Sequence, residues 1–162
     1  MGNRAVITTE EKKVGIYLHW NGGRDSVEAF LHFCKVCQFR RPEDDEYSWA
    51  ALTTVIANYL WQPSDTVLNA PSMADYCTAG LSIGTGFYED LPSADFDNGT
   101  YIIKDWRIVG RENHSGSEQD THPFDEMIQA IYEAQPFGIQ RNYDIGVRKG
   151  LADNKPVMKV VA

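Results

Sequence analysis

The stretch VGIYLHWNGGRDSVEAFLHFC, residues 14–34, decides the fold class. Val14, Ile16, Leu18 and Trp20 alternate with Tyr17 and His19, the period of a strand with two unlike faces. Asn21, Gly22 and Gly23 end that strand. Asp25 and Glu28 then stand three apart, the spacing of a helix capping box, with Asp25 as the expected cap. Val27, Phe30, Leu31 and Cys34 follow at the three-to-four spacing of a buried helical stripe.

Working outward, residues 5–8 read as a partner strand joined by the polar loop 9–13. The segment 38–42 ends the first helix, and a second is expected over about 48–61, with Trp49, Leu52, Ile56, Tyr59 and Leu60 inward. The acidic side chains before it suit the helix dipole. Residues 62–99, punctuated by Pro63, Pro71, Gly80, Gly84, Gly86 and Pro92, read as a long irregular connection with a short helix near 73–79. Long connections of this kind are often functional. Residues 100–104 and 106–111 read as strands around a tight turn at Lys104 and Asp105. A third helix is expected from Pro123 to just before Pro136, with Asp120 or Thr121 at its cap. The tail 138–162 has alternating or β-branched pieces, notably 157–161, that are expected to add a strand. This order lacks strict βαβ alternation. It predicts a single α+β domain over 1–162, with an antiparallel sheet of four to five strands and helices packed mainly on one face.

The chain has 162 residues, 43% of them apolar and 23% charged, enough for one core without disulfides or a structural metal. No apolar run reaches the roughly 18 residues of a membrane span. The first 30 residues hold no secretory apolar block, so a cytoplasmic location with reduced thiols is expected.

The formal net charge is −8, which argues against direct nucleic-acid binding. Its distribution is uneven. Residues 42–103 carry Glu43, Asp44, Asp45, Glu46, Asp65, Asp75, Glu89, Asp90, Asp95 and Asp97 and no Lys or Arg. Such a field favours encounter with a basic partner. The expected contact residues are Glu43, Asp44, Asp45, Glu46, Asp90, Asp95 and Asp97, competing with phosphates for Lys and Arg. A solvated acidic face that aids solubility is the plainer alternative.

A second polar cluster surrounds the first strand-to-helix junction: Arg4, His19, Asn21, Gly22, Gly23 and Arg24. Two glycines before a helix N-terminus let backbone N–H groups approach an anion, so a nucleotide- or phosphate-binding or hydrolytic corner is the alternative function. Asp25 at the cap competes with such an anion. Cys34 and Cys37 share a helical face and suggest zinc or redox use, with Cys77 as a further thiol; as two small core residues they need no such role. His114 and His122 flank the acidic stretch 118–120 without metalloenzyme spacing. No cofactor is implied. Trp20, Trp49, Trp61 and Trp106 are core or interface candidates, with Trp61 the best placed for exposure.

Gly2-Asn3-Arg4 at the start, followed by Tyr17-Leu18-His19-Trp20-Asn21-Gly22, resembles small uncharacterised proteins of phages and bacterial mobile elements. They begin Gly-Thr-Arg and carry His- or Gln-Trp-Asp-Gly after the second strand. The resemblance covers about 30 residues and departs at Asn3, Asn21 and Gly23. It implies a setting and no activity: phage or mobile-element cargo, in which small acidic proteins block host systems. Together with the charge distribution it leads to the expectation of a non-enzymatic, anti-CRISPR-like inhibitor that occupies a basic, nucleic-acid-binding surface of a host defence complex.

Overall fold

The computed structural model describes residues 3–60, 83–120 and 122–152. The readings at Trp61, Asp65, the short helix 73–79 with Asp75 and Cys77, and the strand 157–161 lie outside the described residues.

Two strands, β1 (Ala5–Thr8) and β2 (Val14–Leu18), form the expected hairpin, with Ala5 opposite Leu18 and Ile7 opposite Ile16. Helix α1 (Arg24–Val36) and helix α2 (Tyr47–Leu60) follow. Strand β3 (Ile83–Phe87) runs into a single 3-10 turn, Tyr88–Asp90. Strands β4 (Thr100–Lys104) and β5 (Arg107–Glu112) make a second hairpin, and helices α3 (Phe124–Ala134) and α4 (Phe137–Arg148) complete the described chain. The sheet order is β3-β2-β1-β4-β5. Three pairings are antiparallel as expected; the central one, β1 with β4, runs parallel. Two hairpins are thus joined side by side into a mixed α+β sheet.

Ala5, Ile7, Ile16, Leu18, Tyr101 and Ile103 occupy one face of the sheet and enter the core beside Phe30, Leu52, Ile56 and Ile131. Helices α1 and α2 contact the strands, α3 packs on both, and α4 packs on α1. The opposite face shows Val6, Thr8, Thr100 and Ile102, which are also buried. The connection after β3 covers part of it: Leu91 stands so close to Gly15 that a Cβ there would lie 3.0 Å from its methyl carbon.

Several local expectations are corrected. The N-cap of α1 is Gly23, not Asp25. Asp25 sits in the first turn, where its Oδ1 accepts from Ser26 N at 2.6 Å and its Oδ2 accepts from His122 N at 2.7 Å. It ties the helix to the loop before α3 instead of capping it. Strand β3 lies inside the expected irregular connection. The tail, for which only a strand at 157–161 was expected, holds helix α4, whose Gly146 meets α1: a Cβ there would fall 1.8 Å from the carbonyl oxygen of Val36. The two helices approach closely because that position has no side chain.

The β4–β5 turn places Asp105 and Trp106 at φ 51° and 59°. Left-handed backbone at both central positions matches the twist of a hairpin, though Trp has no intrinsic preference for it. Tertiary contacts hold it: Trp106 Nε1 donates to Phe39 O at 3.0 Å, and Asp105 N donates to Glu43 Oε2 at 2.7 Å.

Candidate functional site

The connection between β3 and β4 is irregular in shape yet firmly attached. Tyr88 N donates to Lys13 O at 2.8 Å at its start. Further along, Ala94 is buried, and its carbonyl accepts from Asp97 N at 3.0 Å and from Gly99 N at 2.9 Å. Asp97 is 6% exposed, and its Oδ2 accepts from both Arg4 N at 3.1 Å and Arg4 Nε at 2.7 Å. Asn98 is fully buried; its Nδ2 donates to Arg4 O at 2.9 Å and to Asn3 Oδ1 at 2.6 Å, and its carbonyl accepts from Arg111 Nε at 3.0 Å. A polar network thus replaces an apolar core at this corner. A buried carboxylate is tolerated when it is paired and hydrogen-bonded. Burial pushes the Asp97 carboxyl up, but the bonds from Arg4 outweigh it and hold its pKa below the ordinary value.

Between the two buried anchors, Ala94 and Asp97, stand Asp95 and Phe96. Phe96 is 94% exposed. Asp95 beside it, and Glu89 and Asp90 at the start of the same connection, are exposed too and make no ion pair among the described residues. An aromatic ring held out in solvent forgoes roughly 1.5–3 kcal/mol of burial. Here the backbone on either side fixes it there.

The expected acidic contact residues therefore separate into three groups. Asp90 and Asp95 are exposed on this connection. Asp97 stands apart from them: its carboxylate is buried and bonded to Arg4. Glu43, Asp44, Asp45 and Glu46 lie elsewhere, by the β4–β5 turn, at the far end of β4 from Asp97. Five strand residues separate those ends by roughly 17 Å. Three of these four are engaged: Glu43 with the Asp105 amide, Asp44 with Arg41 Nε at 2.6 Å, and Asp45 with Arg40 Nη1 at 2.7 Å. Asp45 also accepts from Tyr47 N at 2.9 Å, and the Arg40 bond followed by this one lowers its pKa. Folding thus brings arginines from outside the cation-free stretch into it. Glu46 remains exposed. The four border a cleft of about 180 Å³ that also takes in Glu11 and Lys13.

The alternative corner is divided among different places. Arg4 and His19 extend the β1–β2 ladder as neighbours, but Arg4 serves Asp97, and His19 Nδ1 lies 2.9 Å from Tyr17 Oη. Asn21 Nδ2 donates to Tyr59 Oη at 3.4 Å, and Arg24 Nε pairs with Glu28 at 2.8 Å. Gly22 and Gly23 are needed for packing: a Cβ at Gly22 would fall 2.5 Å from Asn3 O, and at Gly23 2.7 Å from Gln119 O. Gly22 N already donates to Asn3 O at 2.8 Å, and Asp25 N to Asp120 Oδ1 at 3.0 Å. Two carboxylates, Asp25 and Asp120, stand at the helix N-terminus where the anion was expected, so this end repels one.

Cys34 and Cys37 are both buried. Burial raises the Cys34 thiol pKa well above its ordinary value and pushes that of Cys37 up to about 12. Thiols so shifted are poor nucleophiles. Among the described residues, no group of three or more His, Cys, Asp or Glu is placed to hold a metal ion, and no helix is long and apolar enough to cross a membrane. Trp49 and Trp106 belong to the core, and Trp20 is half exposed.

Phe96 was missed in the sequence. The available signal was its setting, an aromatic between two aspartates in a proline-containing connection. Comparison with family models, with curated proteins and with solved structures finds no match. The class defined by these observations is an α+β domain with a mixed five-stranded sheet and an anchored acidic connection.

Proposed function

We propose that the chain is a non-enzymatic protein-binding module that docks the connection 88–97 on a basic protein surface, with Phe96 as the anchor. The observation that carries this reading is the 94% exposure of Phe96 between two buried anchor residues. Aromatic anchors surrounded by polar groups dominate binding energy at protein interfaces. The backbone that carries the ring is already held on both sides, so docking orders little more of the chain. Glu89, Asp90 and Asp95 supply charge that steers a cationic partner toward it. Glu46 and the cleft beside Lys13 extend the acidic surface at the other end of the sheet.

The finer form of the proposal follows the resemblance to phage and mobile-element proteins. The partner is a host defence complex, its basic groove normally holds nucleic acid, and the encounter takes place in the host cytoplasm. Carboxylates compete there with phosphates for Lys and Arg.

Site-specific photo-cross-linking tests the reading. A benzophenone amino acid at position 96 should form a covalent adduct with a basic protein in host-cell lysate. Formation should fall steeply between about 50 and 200 mM salt, where surface charges become screened. The same group at position 137, where Phe137 is also exposed, should give none. Adducts from position 137 alone would defeat the proposal.

A further inference from the structure

A groove of about 600 Å³ lies between α1 and β5, within the size range of small-molecule sites. It is separate from the connection that carries Phe96. Leu31 and Trp106, both buried, contribute to its lining with Ile108 and Phe124. The Trp106 indole is fixed by its bond to Phe39 O, and the Phe124 ring meets the His32 ring at 5.3 Å between centroids. Gly150 and Leu151 also border it.

The charges along this apolar lining are unequal. Glu28 is occupied by Arg24, one helical turn away on α1. Lys35 Nζ has Asp105 Oδ2 only at 3.9 Å, beyond a direct hydrogen bond. Arg107 is exposed and pairs with no carboxylate among the described residues. In a chain of net charge −8, an apolar groove bordered by an incompletely paired lysine and an unpaired arginine is set apart from the acidic surface. Low-dielectric walls strengthen the attraction of such cations for an anion.

We propose that this groove binds a small amphipathic anion: an aromatic or aliphatic body seated on Leu31, Trp106, Ile108 and Phe124, with one carboxylate-like group directed to Lys35 and Arg107. The apolar body supplies burial, and the two cations fix its orientation. This inference does not depend on the docking reading above.

Titration of the full-length protein with anilinonaphthalene sulfonate, an aromatic anion whose emission rises in apolar surroundings, tests the proposal. Saturable binding at one site per chain is expected, with displacement by decanoate and a rise in melting temperature when decanoate is added, because a ligand of the native state stabilises it. Lys35→Glu and Arg107→Glu should each weaken binding at least tenfold while circular dichroism stays unchanged. Arg141→Glu, on the exposed side of α4, controls for net charge and should leave the affinity within twofold. The proposal is overturned by an absence of saturable binding, by equal affinity in the groove variants, or by the same loss in Arg141→Glu.

Discussion

Arg4 and Asp97, 93 positions apart in sequence, are joined by two hydrogen bonds from the arginine backbone and side chain to one carboxylate oxygen. Through this contact the first strand fixes the end of the connection that displays Phe96. The same contact makes stability depend on pH. A carboxyl whose pKa is lower in the folded than in the unfolded chain adds stability above its unfolded pKa, about 3.9 for Asp. That stability is lost as pH falls through the folded value. Asp97→Asn should therefore unfold at lower urea concentration than the parent at pH 7. The difference should shrink as pH falls below about 4. A constant difference across a urea series from pH 7 to pH 2 would contradict this assignment.

Phe96→Ala should leave folding almost untouched, within about 0.5 kcal/mol, because the ring makes no buried contact. Capture of the basic partner should nevertheless fall at least tenfold. Parallel thermal melts and binding assays separate these effects. An equal loss of stability would mean that the ring supports the fold.

Gly146→Ala should destabilise by about 1–3 kcal/mol, the usual cost of overpacking, because the added carbon would collide with the Val36 backbone. Gly138→Ala, in the same helix but with open space around it, should be neutral or stabilising by up to about 1 kcal/mol. Urea denaturation of the two variants checks the contrast. Similar behaviour would show that the α1–α4 contact does not hold in solution.

Cys34 and Cys37 should resist iodoacetamide at pH 8 in the folded protein and react on adding denaturant. Mass spectrometry of labelled peptides reads both states. Rapid labelling of Cys37 under native conditions would contradict a thiol pKa pushed up to about 12.

Most of the fold was legible because its elements carry their own periodicity. The alternation in β2, the short β-branched run of β1 and the apolar stripes of α1, α2 and α3 each report burial. The two elements read wrongly are rich in glycine. Strand β3, Ile-Gly-Thr-Gly-Phe, alternates side chains with glycines instead of apolar with polar residues, so it reads as a loop, and it gains its form from pairing with β2. Helix α4 contains Gly138 and Gly146, which weaken helix propensity, yet Gly146 is what permits its docking. At the candidate site, Asp90 and Asp95 were legible as part of a cation-free stretch. The loss of Asp97 to Arg4, and of Asp44 and Asp45 to Arg41 and Arg40, was not foreseen, because charge counts carry no information on pairing. The exposure of Phe96 depends on where the chain is anchored, which no local pattern reveals.

The parallel pairing of β1 with β4 sets Val6 beside Thr100. During synthesis the amino-terminal hairpin leaves the ribosome long before its central neighbour exists, so one side of β1 must wait with its amides and carbonyls unmatched. Loop closure over so long a span is slow. Refolding should be limited by the joining of the two hairpins.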